Sequence, residues 1–298
     1  MPFVLPSCCW YLLAGVFGSL VGSFLNVVIC RLPDPEQSIV RPRSRCPACG
    51  APIRWYDNVP ILSFFWLRAR CRSCRATISW RYPLVEALAA GLALLLMWRF
   101  GPSKEWLVHF AFSAALIAVT FIDVDLRIIP NEISLGGMVV GFACSFLWPG
   151  FWKDSLIGLL VGGAGLLLLS EIYFRLRRRE GMGMGDVKLL GMLGAWLGWQ
   201  CLLFVLLFAS LQGVVVALVM WLAGVKLAPP LPEEDQQEPA GQEEASPPAG
   251  DGADADGGED GPEPVSLLGA ALPFGPFLAL AAVEYLFLGQ WFYAWIRG

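Results

Sequence analysis

A single histidine, His109, occurs in 298 residues. With no second imidazole to call on, and with that one near the edge of an apolar run, the sequence argues against Ser–His or Cys–His peptidase chemistry. Charge is scarce as well: 15% of residues are charged against 56% hydrophobic. Mean hydropathy is +0.60, which excludes an ordinary soluble domain. No internal repeat is visible, which weakens a transporter built from inverted repeats. Bases are missing altogether from residues 229–264, where twelve acids lie. The remainder therefore carries 21 bases against 13 acids, a basic membrane protein with an acidic insert.

What is present in quantity is spanning-length apolar sequence. Eight runs are expected to be transmembrane helices, at about 9–30, 84–100, 106–122, 133–149, 155–175, 187–200, 202–225 and 272–295. The sixth is short and polar at one end, which leaves seven as the alternative count. The first is too long for a signal-peptide core and runs on into Asn26 and Arg31, so it reads as a membrane helix. Residues 31–81 hold ten arginines and three acids, and residues 175–188 five bases and two acids. The positive-inside rule puts both segments in the cytoplasm and the N-terminus outside. The expected divisions are a first transmembrane helix (1–30), a cytoplasmic loop (31–83) and a transmembrane core (84–228). An acidic insert (229–264), too poor in apolar residues to order itself, and a last helix (265–298) complete the chain.

Nine cysteines do not make a disulfide scaffold when four lie in a cytoplasmic loop. Cys46-Pro47-Ala48-Cys49 and Cys71-Arg72-Ser73-Cys74 are separated by 21 residues. Two C-x-x-C pairs at this distance match a tetrathiolate zinc site, structural because all four positions are protein ligands. A redox dithiol is the competing reading for a lone pair. The other five cysteines, in or beside membrane helices, read as packing residues.

The acidic residues at membrane edges are costly to desolvate, and so read as functional. Asp186 follows Gly183-Met184-Gly185 at the start of the sixth apolar run. The two glycines there allow backbone conformations closed to other residues, or the close approach of another chain. Asp123 closes the third run, after seventeen residues in which only His109 is ionisable. Topology puts both at the cytoplasmic face. If the helices are neighbours, the two carboxyls form a coupled dyad that shares a proton and can activate water against a peptide carbonyl. Asp125, two positions on, points to a different side and reads as water-facing. Lys188 either holds the charge of the pair or reaches toward headgroups.

At these residues the chain resembles a known family. Gly183-Met184-Gly185-Asp186-Val187-Lys188-Leu189 is similar to the G-x-G-D motif of intramembrane aspartic proteases. Glu180-Gly181-Met182 before it and Gly194 to Trp199 after it resemble the bacterial prepilin peptidases (type IV leader peptidases). The likeness extends through Gly22 to Val28, Arg31-Leu32-Pro33, both cysteine pairs, Asn58-Val59-Pro60, Arg81 to Glu86, Ile122-Asp123 with Pro130, and Pro273 to Leu278. It covers nearly the whole chain in order, the acidic insert excepted.

The resemblance implies an all-α polytopic membrane protein with Asp123 and Asp186 catalytic and Cys46, Cys49, Cys71 and Cys74 on structural zinc. It implies removal of a basic leader from type IV prepilins or type II secretion pseudopilins, at the cytoplasmic face of a bacterial inner membrane. N-methylation of the new terminus from S-adenosylmethionine would follow. No nucleic-acid partner is expected. The adenosylmethionine site is undefined, with Asn26, Arg81 and Glu86 as candidates. Two departures stand out besides the insert: Ala69 occurs where the family usually has glycine, and Asn131 where aspartate is common. An ion-coupled transporter or a zinc-loop assembly factor of a secretion or pilus machine are the rival classes.

Overall fold

The computed structural model describes residues 6–34, 38, 40, 44–177, 183–224 and 273–297. The acidic insert lies outside them. The chain divides into two compact units, residues 1–212 with 273–298, and residues 213–272. Of the second, the described part is the end of one helix, as far as Gly224. The first unit holds every site considered below.

The described residues form helices and two isolated antiparallel bridges. In chain order the helices are α1 (Ser7–Arg31), α2 (Leu62–Trp66), α3 (Arg81–Phe100), α4 (Lys104–Leu126) and α5 (Asn131–Ser145). Then come α6 (Phe151–Leu159), a π-helical turn (Leu160–Gly165), α7 (Leu166–Arg177), α8 (Met184–Leu197), α9 (Gln200–Leu222) and α10 (Gly275–Arg297). Six stretches are long and apolar enough to cross a membrane: α1, α3, α4, the continuous α6–π–α7 rod, α9 and α10.

The other two expected spans are helical but short. Helices α5 and α8 have 15 and 14 residues, about 21–22 Å of rise against a hydrocarbon core of about 30 Å. For α8 the reason is its surroundings. Every residue from Val187 to Leu197 except Lys188 is buried, against α5, α6, the π turn and α10. A helix wrapped in protein need not match the bilayer's thickness. Gly198, at φ +82°, then ends it.

Contrast α1, where Leu12, Val16, Leu20 and Phe24 are exposed at four-residue spacing. Gly22, Leu25, Asn26 and Ile29 are buried on its other side, the side that packs on α3. One stripe serves protein and the other serves lipid. At the far end of α10, the helix begins at Gly275 with Pro276 in its first turn. Proline's missing N–H costs nothing there.

Two backbones meet directly where α6 crosses α8. A Cβ on Gly194 would stand 2.2 Å from the Gly158 carbonyl oxygen, and one on Gly158 2.3 Å from that of Gly194. Beside this crossing Ser155 Oγ donates to the Ala195 carbonyl at 2.6 Å. On the α5 side, Trp196 Nε1 donates to the Gly137 carbonyl at 2.8 Å. Close backbone approach through small residues is the expected means of association between helices in lipid.

Gly158→Ala or Gly194→Ala should therefore push the helices apart and cost about 1–3 kcal/mol. Gly136→Ala is the control: no atom lies within 4 Å of its Cβ position, so the added helix propensity should give about 0.5–1 kcal/mol of stability. Thermal unfolding of the three purified variants in detergent measures both signs.

Candidate active site and metal centre

Asp123 sits one turn before the end of α4, buried, on a chain that turns sharply just beyond it. Arg127 takes left-handed geometry (φ 56°) and returns its N–H to the Asp123 carbonyl at 2.9 Å. Ile128, Ile129 and Pro130 then lead into α5. Asp186 occupies the first turn of α8. Its charge and that of Asp123 are close enough to act on each other. The structure thus brings together two residues 63 positions apart in the sequence.

A third helix completes the site. The Gly275 N–H, at the start of α10, donates to Asp123 Oδ2 at 3.1 Å. A Cβ on Gly275 would lie 2.5 Å from that same oxygen, so only glycine lets the backbone reach the carboxylate. The Ile129 side chain fills the space between the α8 and α10 starts. It would meet a Cβ on Gly185 at 3.2 Å and one on Gly275 at 3.3 Å. Of the two roles open to the glycines before Asp186, Gly185 takes the second, close approach. Gly183 has an ordinary extended backbone (φ −60°, ψ 133°). Its Cβ position is an unstrained 3.5 Å from Asp186 Oδ2.

The neighbouring polar residues have definite partners. Lys188 Nζ donates to Asn131 Oδ1 at 2.8 Å, neither of the roles that sequence alone offered it. That bond ties the starts of α5 and α8 together. Asp125 does not simply face water: it forms an ion pair with Arg81, the first residue of α3. The Arg81 guanidinium also lies over the Phe121 ring, 5.4 Å from its centre, while its Nη2 is buried without a protein partner. The other two candidates for the cofactor also have protein partners. Asn26 Nδ2 donates to the Tyr82 carbonyl at 3.1 Å, and Glu86 Oε2 accepts the Ile61 N–H at 2.7 Å.

The four loop cysteines converge, with Sγ atoms all within 4.8 Å of one another. Cys46 Sγ and Cys74 Sγ are 3.8 Å apart. Each C-x-x-C pair is built by the same turn. Cys46 N–H donates to the Ala51 carbonyl and Gly50 N–H to Cys46; Cys71 N–H donates to Ala76 and Arg75 N–H to Cys71. Ile53 N–H to Ser44 and Ile78 N–H to Ala69 close the two turns. The sequence carries this as Arg45-Cys-Pro-Ala-Cys-Gly-Ala-Pro-Ile53 and Arg70-Cys-Arg-Ser-Cys-Arg-Ala-Thr-Ile78. The absence of a visible repeat is therefore corrected for this loop: nine residues recur after 25 positions, too short a unit to show against the whole chain.

Backbone N–H groups of Cys74 and Ser73 pull the Cys71 thiol down to about 7. The Arg72 guanidinium, bonded to Asp57 at 2.6–3.1 Å, holds that carboxyl below its usual range. A set of four soft donors facing one point, with one thiol already poised to ionise, fits a metal ion.

Residues 16–100 match the bacterial peptidase A24 N-terminal domain and residues 110–218 the type IV leader peptidase family. A protein of Myxococcus xanthus (strain DK1622), named prepilin leader peptidase/N-methyltransferase, is 42% identical over 93% of this chain and 89% of its own length. Proteins of the same name from Aeromonas hydrophila and Burkholderia pseudomallei (strain 1026b) are 38% and 34% identical. They align with 70% and 99% of this chain, and with 80% and 90% of their own lengths. No solved structure matches.

Ala69 explains itself in the fold. It lies at φ 56°, directly after Arg68 at φ 53°, where the chain reverses from α2 into the second cysteine turn. Its N–H donates to Phe64 at 2.9 Å. Left-handed geometry costs an alanine about 1–2 kcal/mol, part of which a glycine's unfolded-state entropy offsets. Ala69→Gly should therefore raise stability by about 0.5–1 kcal/mol. The check is a higher thermal unfolding midpoint of the purified variant in detergent.

Proposed function

This chain belongs to the type IV leader peptidase family, and on that premise we propose that it is a prepilin leader peptidase whose catalytic groups are Asp123 and Asp186. The observation that carries the reading is the convergence of three helix ends on one carboxyl pair. Asp123 is held by the Gly275 N–H, and Asp186 stands close enough to feel its charge.

Two carboxyls in such a place cannot both ionise at low cost, so they share one proton. The ionised member takes a proton from water as the oxygen attacks the scissile carbonyl, and its partner protonates the carbonyl oxygen. The resulting diol collapses when the pair gives a proton to the leaving amine and takes one from a diol hydroxyl, and the C–N bond breaks. The dyad then regains its starting state. The N-terminus of α8, with its unpaired N–H groups, favours a negative charge at Asp186 in the turn of this cycle when it carries one.

Substrate is the leader-bearing N-terminus of a prepilin or pseudopilin. Its apolar helix stays in lipid while the scissile bond reaches the cytoplasmic rim. The protein is placed in the bacterial inner membrane with its N-terminus outside, which the arginine-rich loop and the 175–188 segment support. Its relatives' names also carry an N-methyltransferase activity. On that reading S-adenosylmethionine methylates the new N-terminus after cleavage.

The metal is zinc. Tetrahedral coordination at the usual Zn–S length puts sulfurs about 3.8 Å apart, the Cys46–Cys74 separation already present. With all four positions filled by protein, zinc would act by holding the loop's fold. No step of the cleavage passes through it.

Leader removal from a prepilin by the purified protein in detergent is the direct test. Asp123→Ala and Asp186→Ala should each lower the rate by at least about a hundredfold while leaving the thermal unfolding profile folded. Full activity in either variant would sink the assignment. Gly275→Ala, which drives a methyl group into Asp123, should lose most cleavage with near-normal substrate binding. Metal analysis should give one zinc per chain, absent in Cys46→Ser and Cys71→Ser; a zinc-free native loop would return the cysteines to redox chemistry.

A further inference from the structure

Glu86 lies five residues into α3, about 7–8 Å along the helix from its start. It accepts the N–H of Ile61, a loop residue, so the loop does not stay above the membrane helices but dips beside the second turn of one. Ile61 makes the dip possible at a price in backbone strain. Its φ of 61° and ψ of −53° are out of place for a β-branched side chain, and Leu62 N–H closes back onto the Pro60 carbonyl. Strain of this kind persists only where surrounding structure fixes it.

Directly after this turn comes α2, and its side chains are the wrong kind for water. Leu62, Phe65 and Trp66 lie at i, i+3 and i+4, on one side of the helix, and are 68%, 59% and 84% exposed. Trp80, 66% exposed, extends the patch: its ring meets that of Phe65 at 6.1 Å and that of the buried Phe64 at 4.8 Å. Trp80 is also the residue before α3 begins. Arg68 and Arg70 follow α2 and are exposed.

We propose that α2 and Trp80 form a membrane-interface anchor: the Leu62, Phe65, Trp66 and Trp80 side chains insert between lipid headgroups on the cytoplasmic leaflet. The occupant is the bilayer because the Glu86–Ile61 bond fixes the patch at the depth of a spanning helix's second turn, and because its apolar face continues into that helix through Trp80. Amphipathic helices of this composition settle about 5–10 Å into the headgroup–acyl boundary. Aromatic side chains favour that zone, and arginines at its edge reach anionic phosphates. The metal loop is then held at two points, by Glu86 from the protein side and by lipid from the other.

The test uses the full chain in liposomes of phosphatidylethanolamine and phosphatidylglycerol, with and without acyl chains brominated at carbons 6 and 7. Wild type and Trp66→Phe are compared, and the difference in emission is the signal of Trp66. Trp66 is a surface side chain, so the variant keeps its fold; Trp80→Phe gives a second difference signal. Bromolipid should lower each signal about twofold or more, given insertion to that depth, and aqueous iodide should leave both nearly unchanged. Quenching by iodide with no effect of bromolipid would overturn the anchor. So would protection from iodide that develops only when a prepilin is added, which would make the patch a protein-docking surface. Neither result bears on whether Asp123 and Asp186 cleave peptide bonds.

Discussion

The backbone contact between Gly158 and Gly194 sets the position of everything around α8. A helix of 14 residues cannot hold itself across a bilayer by hydrophobic length. It must be carried by protein, and in lipid the attraction between helices comes chiefly from close packing. The α6–π–α7 rod supplies one wall and α5 another. The Ser155 and Trp196 side-chain bonds to backbone carbonyls fix the axial register of these walls. Once that register is set, the first turn of α8 ends at the level where α4 finishes and α10 starts. Asp186 is therefore presented to Asp123 as a consequence of packing about two turns away.

The same geometry explains how the site tolerates desolvated carboxyls. Burying a charge is expensive unless hydrogen bonds or counter-charges meet it. Here one donor is a backbone group at a helix start, where N–H groups have no intrahelical partner. Gly275 gives one such group to Asp123. Lys188 is engaged with Asn131 and Arg81 with Asp125, while the charge of Arg127 acts on Asp123 through space. A tight ion pair would lock one aspartate in its ionised form. A backbone donor stabilises a carboxylate without fixing it in that form.

Sequence reading reached the two aspartates, the four cysteines and an all-helical membrane fold because each leaves a local mark. A carboxylate at the edge of an apolar run is anomalous in itself, and paired C-x-x-C elements have a spacing. Contacts leave no such mark. Nothing in the order of residues says that Asn131 receives Lys188 or that Asp125 belongs to Arg81. Asn131, where the family commonly has aspartate, still offers an amide oxygen that accepts an ammonium donor. The shortness of α8 was visible in its sequence, but its cause was not: burial on every side is a property of neighbours. The nine-residue pattern around the cysteines is written in the sequence, but it is far shorter than the supersecondary units that repeat architectures are built from.

Among the polar links between the cysteine loop and the membrane helices, two reach different places. Glu86 holds the strained Ile61 turn against α3, at the point where α1 packs closely enough that a Cβ on Gly22 would meet the Glu86 Cα at 2.6 Å. Arg81 joins the loop's last residues to Asp125 and Phe121, within two residues of Asp123. A shift of the loop is thus felt at the end of α4 through one ion pair and one ring contact, both short and both directional. The converse also holds. Anything that moves the end of α4 acts on Arg81, and through Trp80 on the aromatic cluster of α2. The cysteine loop and the helix that carries Asp123 are thus joined by residues that touch neither the two aspartates nor the cysteines.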